Sequence, residues 1–196
     1  MARTREFDPD QVLERAMRLF WLKGYSATSI SDLVEHLGIG RASLYATFGT
    51  KHELYLAALD RYIQQHDPDV LELLAMPGPV LPAIRALLDG YLAPPPADDP
   101  KGCMVVNAAV ECPPDDHAVR RRIDLSWGSL ETALTSALLR ARAQGEIPAG
   151  ADAAQLARFL MVLMQGMRVT GSAEGGARRA GDAAILALRT LGSPTA

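Results

Sequence analysis

The sequence predicts an all-α protein of about nine helices, with a small N-terminal helical unit and a larger C-terminal helical domain. Three observations predict it. Apolar residues recur at the helical period in one window after another, and no stretch alternates at the period of two that a half-buried strand requires. Gly and Pro mark most of the boundaries between those windows. Two helix starts carry paired capping signatures, Ser29 with Asp32 and Thr50 with Glu53, in which a hydroxyl and an acid three residues apart satisfy each other's backbone N–H groups.

The elements follow in order. Asp8-Pro9 is an N-cap followed by a first-turn proline, and Val12, Ala16, Leu19 and Phe20 form the buried stripe of a first helix that Gly24 ends. Ser29 opens the second helix, whose apolar face is Ile30, Leu33, Val34 and Leu37. Gly38 supplies the left-handed residue that stops it, and Ile39 plugs the corner. A short helix runs from Arg41 to Phe48. The Thr50 cap starts a fourth helix, about 51–66, with Leu54, Ala58 and Tyr62 on one face, and Asp67-Pro68 is expected to break it. Met76-Pro77-Gly78-Pro79 is a turn, and a fifth helix runs from about Val80 to Leu92. The proline-rich stretch 94–100 is a stiff loop. A short apolar helix at 102–111 stops at Pro113-Pro114, Asp115 or Asp116 caps a long helix from about 117 to 144, and two helices at about 152–171 and 176–191 complete the chain.

Two helices joined by a tight glycine turn, here spanning Ser29 to Phe48, are the helix-turn-helix arrangement whose second helix enters the DNA major groove. Charge agrees with that reading. The chain carries a net charge of −3, so it is no general polyanion binder. Yet no acidic residue falls between His36 and His52, a stretch that holds Arg41 and Lys51. The N-terminal arm carries Arg3 and Arg5, a type of arm that can reach an adjacent minor groove.

The residues around this motif carry a more specific signal. Gly-Ile-Gly-Arg-Ala-Ser-Leu-Tyr-Ala-Thr-Phe-Gly-Thr-Lys-His-Glu-Leu, with Leu-Phe-Trp-Leu-Lys-Gly-Tyr-Ser-Ala-Thr-Ser-Ile before it, resembles the TetR family of bacterial transcriptional repressors. The matching positions are Phe20, Gly24, Tyr25, Thr28, Ser29, Ile30, Leu44, Tyr45, Phe48 and Lys51, within a match from about Pro9 to Tyr62. The resemblance implies a helix-turn-helix DNA-binding domain at 1–50, linked by the helix at 51–66 to an effector-binding and dimerisation domain at 67–196. It implies DNA contacts by Thr28, Ser29 and Ser31 to phosphate, by Arg41, Ala42 and Ser43 to base edges, and by Tyr45, Thr47, Lys51 and His52 to the backbone. Arg41 suits a guanine and Ala42 a thymine methyl. The sequence departs from the family pattern at Gly40, which leaves the recognition helix without a side-chain cap, and at Ala42 and Ala46-Thr47.

The resemblance also implies a homodimer through the last two helices, a palindromic double-stranded operator, and release from DNA by a small-molecule effector. Leu156, Phe159, Leu160, Leu163, Met164 and Met167 form one apolar stripe, Ala153, Ala157, Met161 and Val162 a second, and Ala180, Ala184, Ala187, Leu188 and Leu191 a third. A helix apolar on two sides is buried on two sides. Met104, Asn107, Trp127, Met161, Met164, Gln165 and Arg168 are expected to line a pocket for an apolar or aromatic effector, because methionines adapt and a polar group on an apolar face needs a partner. Two alternatives stand beside this reading. Cys103 or Cys112 can serve a redox- or electrophile-sensing regulator, or the chain is a helical interaction module without DNA binding. Four scattered histidines and no nucleophile, metal or phosphate-loop motif argue against an enzyme, a bound metal or a cofactor. With no apolar run near 20 residues and no signal-like N-terminus, a cytoplasmic protein is expected.

Overall fold

The computed structural model describes residues 7–93, 100, 102–171 and 173–192. The Arg3/Arg5 arm and most of the 94–100 loop lie outside them. α1 (Pro9–Lys23) starts where Asp8 accepts a hydrogen bond from the Asp10 N–H at 2.9 Å. Its predicted stripe is buried, and Met17 and Trp21 widen it. α2 (Ile30–Leu37) begins at the Ser29/Asp32 capping box and ends at Gly38, whose φ of 68° and ψ of 25° are left-handed. α3 (Arg41–Phe48) follows after Gly40, which offers no side-chain cap, as its sequence predicts.

α4 (Lys51–Ala75) corrects the expected break. The helix runs through Pro68 rather than ending before it. Proline there forgoes one helical hydrogen bond, but Leu74 beyond it is fully buried and Val70 and Leu73 pack on the same core. Tertiary burial outweighs the local cost. α5 (Val80–Leu92), α6 (Met104–Glu111), α7 (His117–Ala143), α8 (Ala153–Gly171) and α9 (Gly176–Gly192) fall close to their predicted spans. The described residues hold nine helices and no strand.

The chain divides into two compact units. The first holds α1 to α3, α4 through Gln65, α6, and α7 through Ile123. Edge-to-face ring pairs organise its core: Phe20 with Tyr55 at 5.1 Å and Trp21 with Tyr62 at 4.9 Å between centroids. The sequence places α6 and the start of α7 within 67–196. Here they group with the N-terminal helices, because their polar side chains bond there. Glu111 accepts from the Ser26 N–H at 3.2 Å, Asp116 meets His52 at 2.8 Å, and Arg122 grips both oxygens of Asp60 at 2.7 and 2.8 Å.

The second unit holds α4 from His66, α5, α7 from Asp124, α8 and α9. Its core combines Ile84, Leu88, Leu134, Leu138, Leu160 and Met164 with the alanines Ala157, Ala180, Ala184 and Ala187. Small residues let α8 and α9 approach closely. Glu146 caps α5 by accepting from the Val80 and Leu81 N–H groups at 2.8 and 2.9 Å, which places an acid at a helix N-terminus where the dipole favours it.

Candidate nucleic-acid interface

α3 is a nearly bare helix. Arg41, Ala42, Ser43, Tyr45 and Ala46 are exposed, Thr47 is half-buried, and Leu44 alone is fully buried. One anchor inward and a continuous row outward is what a groove-reading helix requires. α2 enters beside it with its capping box closed: Ser29 Oγ accepts from the Asp32 N–H at 3.0 Å, and the Ser29 N–H donates to Asp32 Oδ2 at 2.7 Å. These Ser29 hydrogen bonds, with Lys23 at 3.0 Å, hold the Asp32 carboxyl well below the usual range. The same device opens α4, where Glu53 accepts from the Thr50 N–H at 2.7 Å and is pulled down in pKa by it.

One predicted contact is corrected. Thr28 is completely buried, and its hydroxyl donates to the Gly24 carbonyl at 2.6 Å. The side chain is committed to closing the α1–α2 connection and cannot meet a phosphate. Ser31, the second residue of α2, is exposed. Lys51 places its ammonium 4.2 Å over the Tyr25 ring, a cation–π contact, and burial lowers its pKa while Glu111 and Asp32 oppose that. Tyr25 in turn packs on Tyr55 at 4.7 Å and presents its ring edgewise to His52 at 6.2 Å. His52 bonds Asp116, so its imidazole is already engaged within the first unit. Burial works against the Asp116 carboxylate, but the Val119 N–H and His52 outweigh it and bring its pKa down.

The expected pocket residues divide between the two units. Met104 is buried in the first, and Asn107 there donates to the Trp21 carbonyl at 3.4 Å, which supplies the partner its amide needs. Trp127, Met161, Met164, Gln165 and Arg168 belong to the second. Arg168 stacks 4.6 Å over Tyr91 and donates to its hydroxyl at 3.1 Å. The indole N–H of Trp127 is buried with no hydrogen-bond acceptor among the described residues. Cys103 is buried. Cys112 Sγ donates to the Pro113 carbonyl at 3.3 Å, and burial followed by Asp116 pushes its thiol up, away from the reactive thiolate. The described residues contain no cluster of His, Cys, Asp or Glu able to hold a metal, and no helix long and apolar enough to cross a membrane.

Three residues shape this face without any signal of that role in the sequence. Arg15, Glu111 and Asp116 sit on α1, on α6 and ahead of α7, and each reaches the helix-turn-helix region across at least 21 residues of chain. Nothing local distinguishes Arg15 and Glu111 from solvated surface charges, and the cap expected at Asp115 or Asp116 gives no hint of a contact with His52.

Fold and site together define a helix-turn-helix protein with a separate helical C-terminal unit. Residues 12–58 match the family model for bacterial regulatory proteins of the tetR family, and residues 80–187 match the tetracyclin repressor-like C-terminal domain. The chain belongs to the TetR family of transcriptional regulators, which makes it a regulator rather than an enzyme. It is 41% identical over 162 residues to the uncharacterized HTH-type transcriptional regulator YezE of Bacillus subtilis, covering 82% of this chain and 84% of YezE. The HTH-type transcriptional repressor ComR of Escherichia coli is 34% identical over 173 residues, covering 86% of this chain and 81% of ComR. Among solved structures, a cysteine mutant of the TetR family regulator CifR, complexed with 26-bp double-strand operator DNA, is 31% identical. That likeness has a TM-score of 0.85 and covers 97% of this chain and all of that one.

Proposed function

We propose that this chain is a cytoplasmic repressor that binds a palindromic operator as a homodimer and leaves it when a small molecule occupies the C-terminal unit. The observation that carries the reading is α3 itself, held by Leu44 and exposing Arg41, Ala42, Ser43 and Tyr45 beside the capped start of α4. Arg41 reads a guanine, Ala42 a thymine methyl, and Ser43 lines the same edge. Ser29, Ser31, Tyr45, Thr47, Lys51 and His52 border the groove and position the helix on phosphates. The operator complex of CifR supports this assignment.

Dimerisation is supported by apolar side chains that the single chain leaves exposed. The sequence placed Phe159 in a buried stripe, yet it is 42% exposed, and Val162 and Val169 continue its face of α8. Ile185 and Leu186 do the same on α9. Ala153 and Ala157, from the second apolar stripe of α8, fill the unit's own core. A second copy that covers these side chains places two reading helices one DNA turn apart, about 34–36 Å. The effector is apolar or aromatic with a hydrogen-bond acceptor. The methionines Met161 and Met164 supply adaptable walls, Gln165 and Arg168 polar anchors, and the unpartnered Trp127 N–H a donor for that acceptor.

Arg41→Ala and Lys51→Ala separate the two kinds of contact. Arg41→Ala relaxes base preference at one operator position, and Lys51→Ala weakens every sequence alike and reduces the salt slope by about one. If both variants keep full operator affinity, α3 is not the reading helix.

A further inference from the structure

We infer that Arg15 is a positioning residue for operator reading: from α1, its guanidinium holds the carbonyl end of α2 and thereby sets the direction in which α3 leaves the turn. The inference rests on the reading of α3 as the DNA-reading helix. The last carbonyls of a helix have no partner inside it. At the end of α2 the Val34 carbonyl is taken by the Gly38 N–H. The last two carbonyls of the helix, those of His36 and Leu37, are both taken by Arg15: one guanidinium N–H donates to Leu37 O at 3.0 Å and another to His36 O. These residues immediately precede Gly38, the pivot of the motif.

Each feature around the contact gives it leverage. Arg15 sits on α1 next to Ala16, and Val12, Leu19 and Phe20 bury the same helix, so the guanidinium projects from a fixed base. α3 has little of its own to define its direction. Its N-cap is Gly40 without a side chain, and its single fully buried residue is Leu44. Ile39, buried in the corner, fixes the turn's depth but not the end of α2 that feeds it. A planar guanidinium presents its N–H groups to the two carbonyls in a fixed fork, whereas the three donors of an ammonium sit at one point on a flexible stem and are not held in that geometry. The positive charge also falls at the negative end of the α2 dipole.

The test is operator affinity of the full chain at low temperature, where every variant is folded, for wild type, Arg15→Ala, Arg15→Lys, Arg41→Ala and the Arg15→Ala/Arg41→Ala double variant. The expected result is an affinity loss of about fivefold for Arg15→Ala, from the two lost charged hydrogen bonds at a partly exposed site. Arg15→Lys recovers little, because it restores charge without the fork. The salt slope stays at the wild-type value. Arg41→Ala costs less in the Arg15→Ala background than alone, since a misdirected helix has less base contact to lose. A purely structural role lowers the unfolding temperature and leaves affinity and the Arg41 effect unchanged, which overturns the inference. A salt slope reduced by about one makes Arg15 a phosphate contact instead, and that also overturns it. If wild-type protein binds no operator, the parent reading fails and takes this one with it; binding that Arg15→Ala does not alter refutes the inference alone.

Discussion

Leu44→Ala is the perturbation on which the fold and the candidate site meet. Leu44 is fully buried and is the one α3 side chain so placed. The substitution removes three carbons, worth about 2.4 kcal/mol of transfer at roughly 0.8 kcal/mol per CH2. The cavity left beneath α3 raises the loss to about 3–4 kcal/mol. α3 is eight residues long and has no side-chain cap, and an isolated helix of that length is marginal in water. The loss therefore falls on local opening of α3 ahead of global unfolding. Amide hydrogen exchange read by mass spectrometry on peptides covering 41–48 gives the magnitude directly, since each 1.4 kcal/mol is tenfold. Exchange there is expected to accelerate on the order of 100-fold, with the α8 and α9 amides unchanged. An acceleration under about fivefold would mean that α3 is held by contacts other than Leu44, and the single-anchor description would be wrong.

Three further outcomes follow from the geometry. Gly24 has a φ of +83°, and a Cβ added there would lie 2.1 Å from Glu111 Oε1; Gly24→Ala should lower the urea midpoint by the equivalent of about 1–3 kcal/mol, and Glu111→Ala in the same chain should restore part of it. The Asp32 and Asp116 carboxyls titrate below their ordinary values in the folded chain, so their stabilisation is present above about pH 4 and is lost as pH falls through the folded values. Asp32→Asn should therefore lower the urea midpoint at pH 7 and flatten its fall between pH 5 and 3, as followed by circular dichroism. Val162→Glu puts a charge on a side chain 65% exposed in the single chain; light scattering should find the wild type at twice the 21.1 kDa chain mass and the variant at that mass itself, with its helix content intact.

Much of the first unit was legible in the sequence because its signals are local. Both capping boxes, the left-handed Gly38 and the uncapped Gly40 depend on residues within four positions of one another, and short-range rules reach that far. Where the reading failed, a distant contact decided the outcome. Pro68 marks a helix end by every local rule, yet burial of Leu74 carries α4 past it. Thr28 fits a hydroxyl at a helix start, but its bond to Gly24 O buries it. The packing of α6 beside the N-terminal helices, which no boundary drawn along the chain expresses, rests on Asn107, Glu111, Asp116 and Arg122, whose partners lie at least 62 residues away. Apolar stripes on α8 predicted two buried faces, but periodicity alone could not say which face the unit's own core takes. Ala153 and Ala157 took it together with Leu160, Met164 and Met167, and Phe159, Val162 and Val169 were left outside.

The most direct test of the central claim is fluorescence anisotropy of the purified chain titrated onto labelled fragments flanking its own gene, at 50 and 200 mM salt, with Arg41→Ala alongside. A reader of operator DNA should bind one fragment at least about 1,000-fold more tightly than random duplex. Its affinity should fall about 10³–10⁵-fold between the two salt concentrations if six to ten phosphates are contacted, and Arg41→Ala should erase the preference between fragments. Equal, weak binding to every fragment, or none at either salt, would contradict the assignment of α3 as an operator-reading helix.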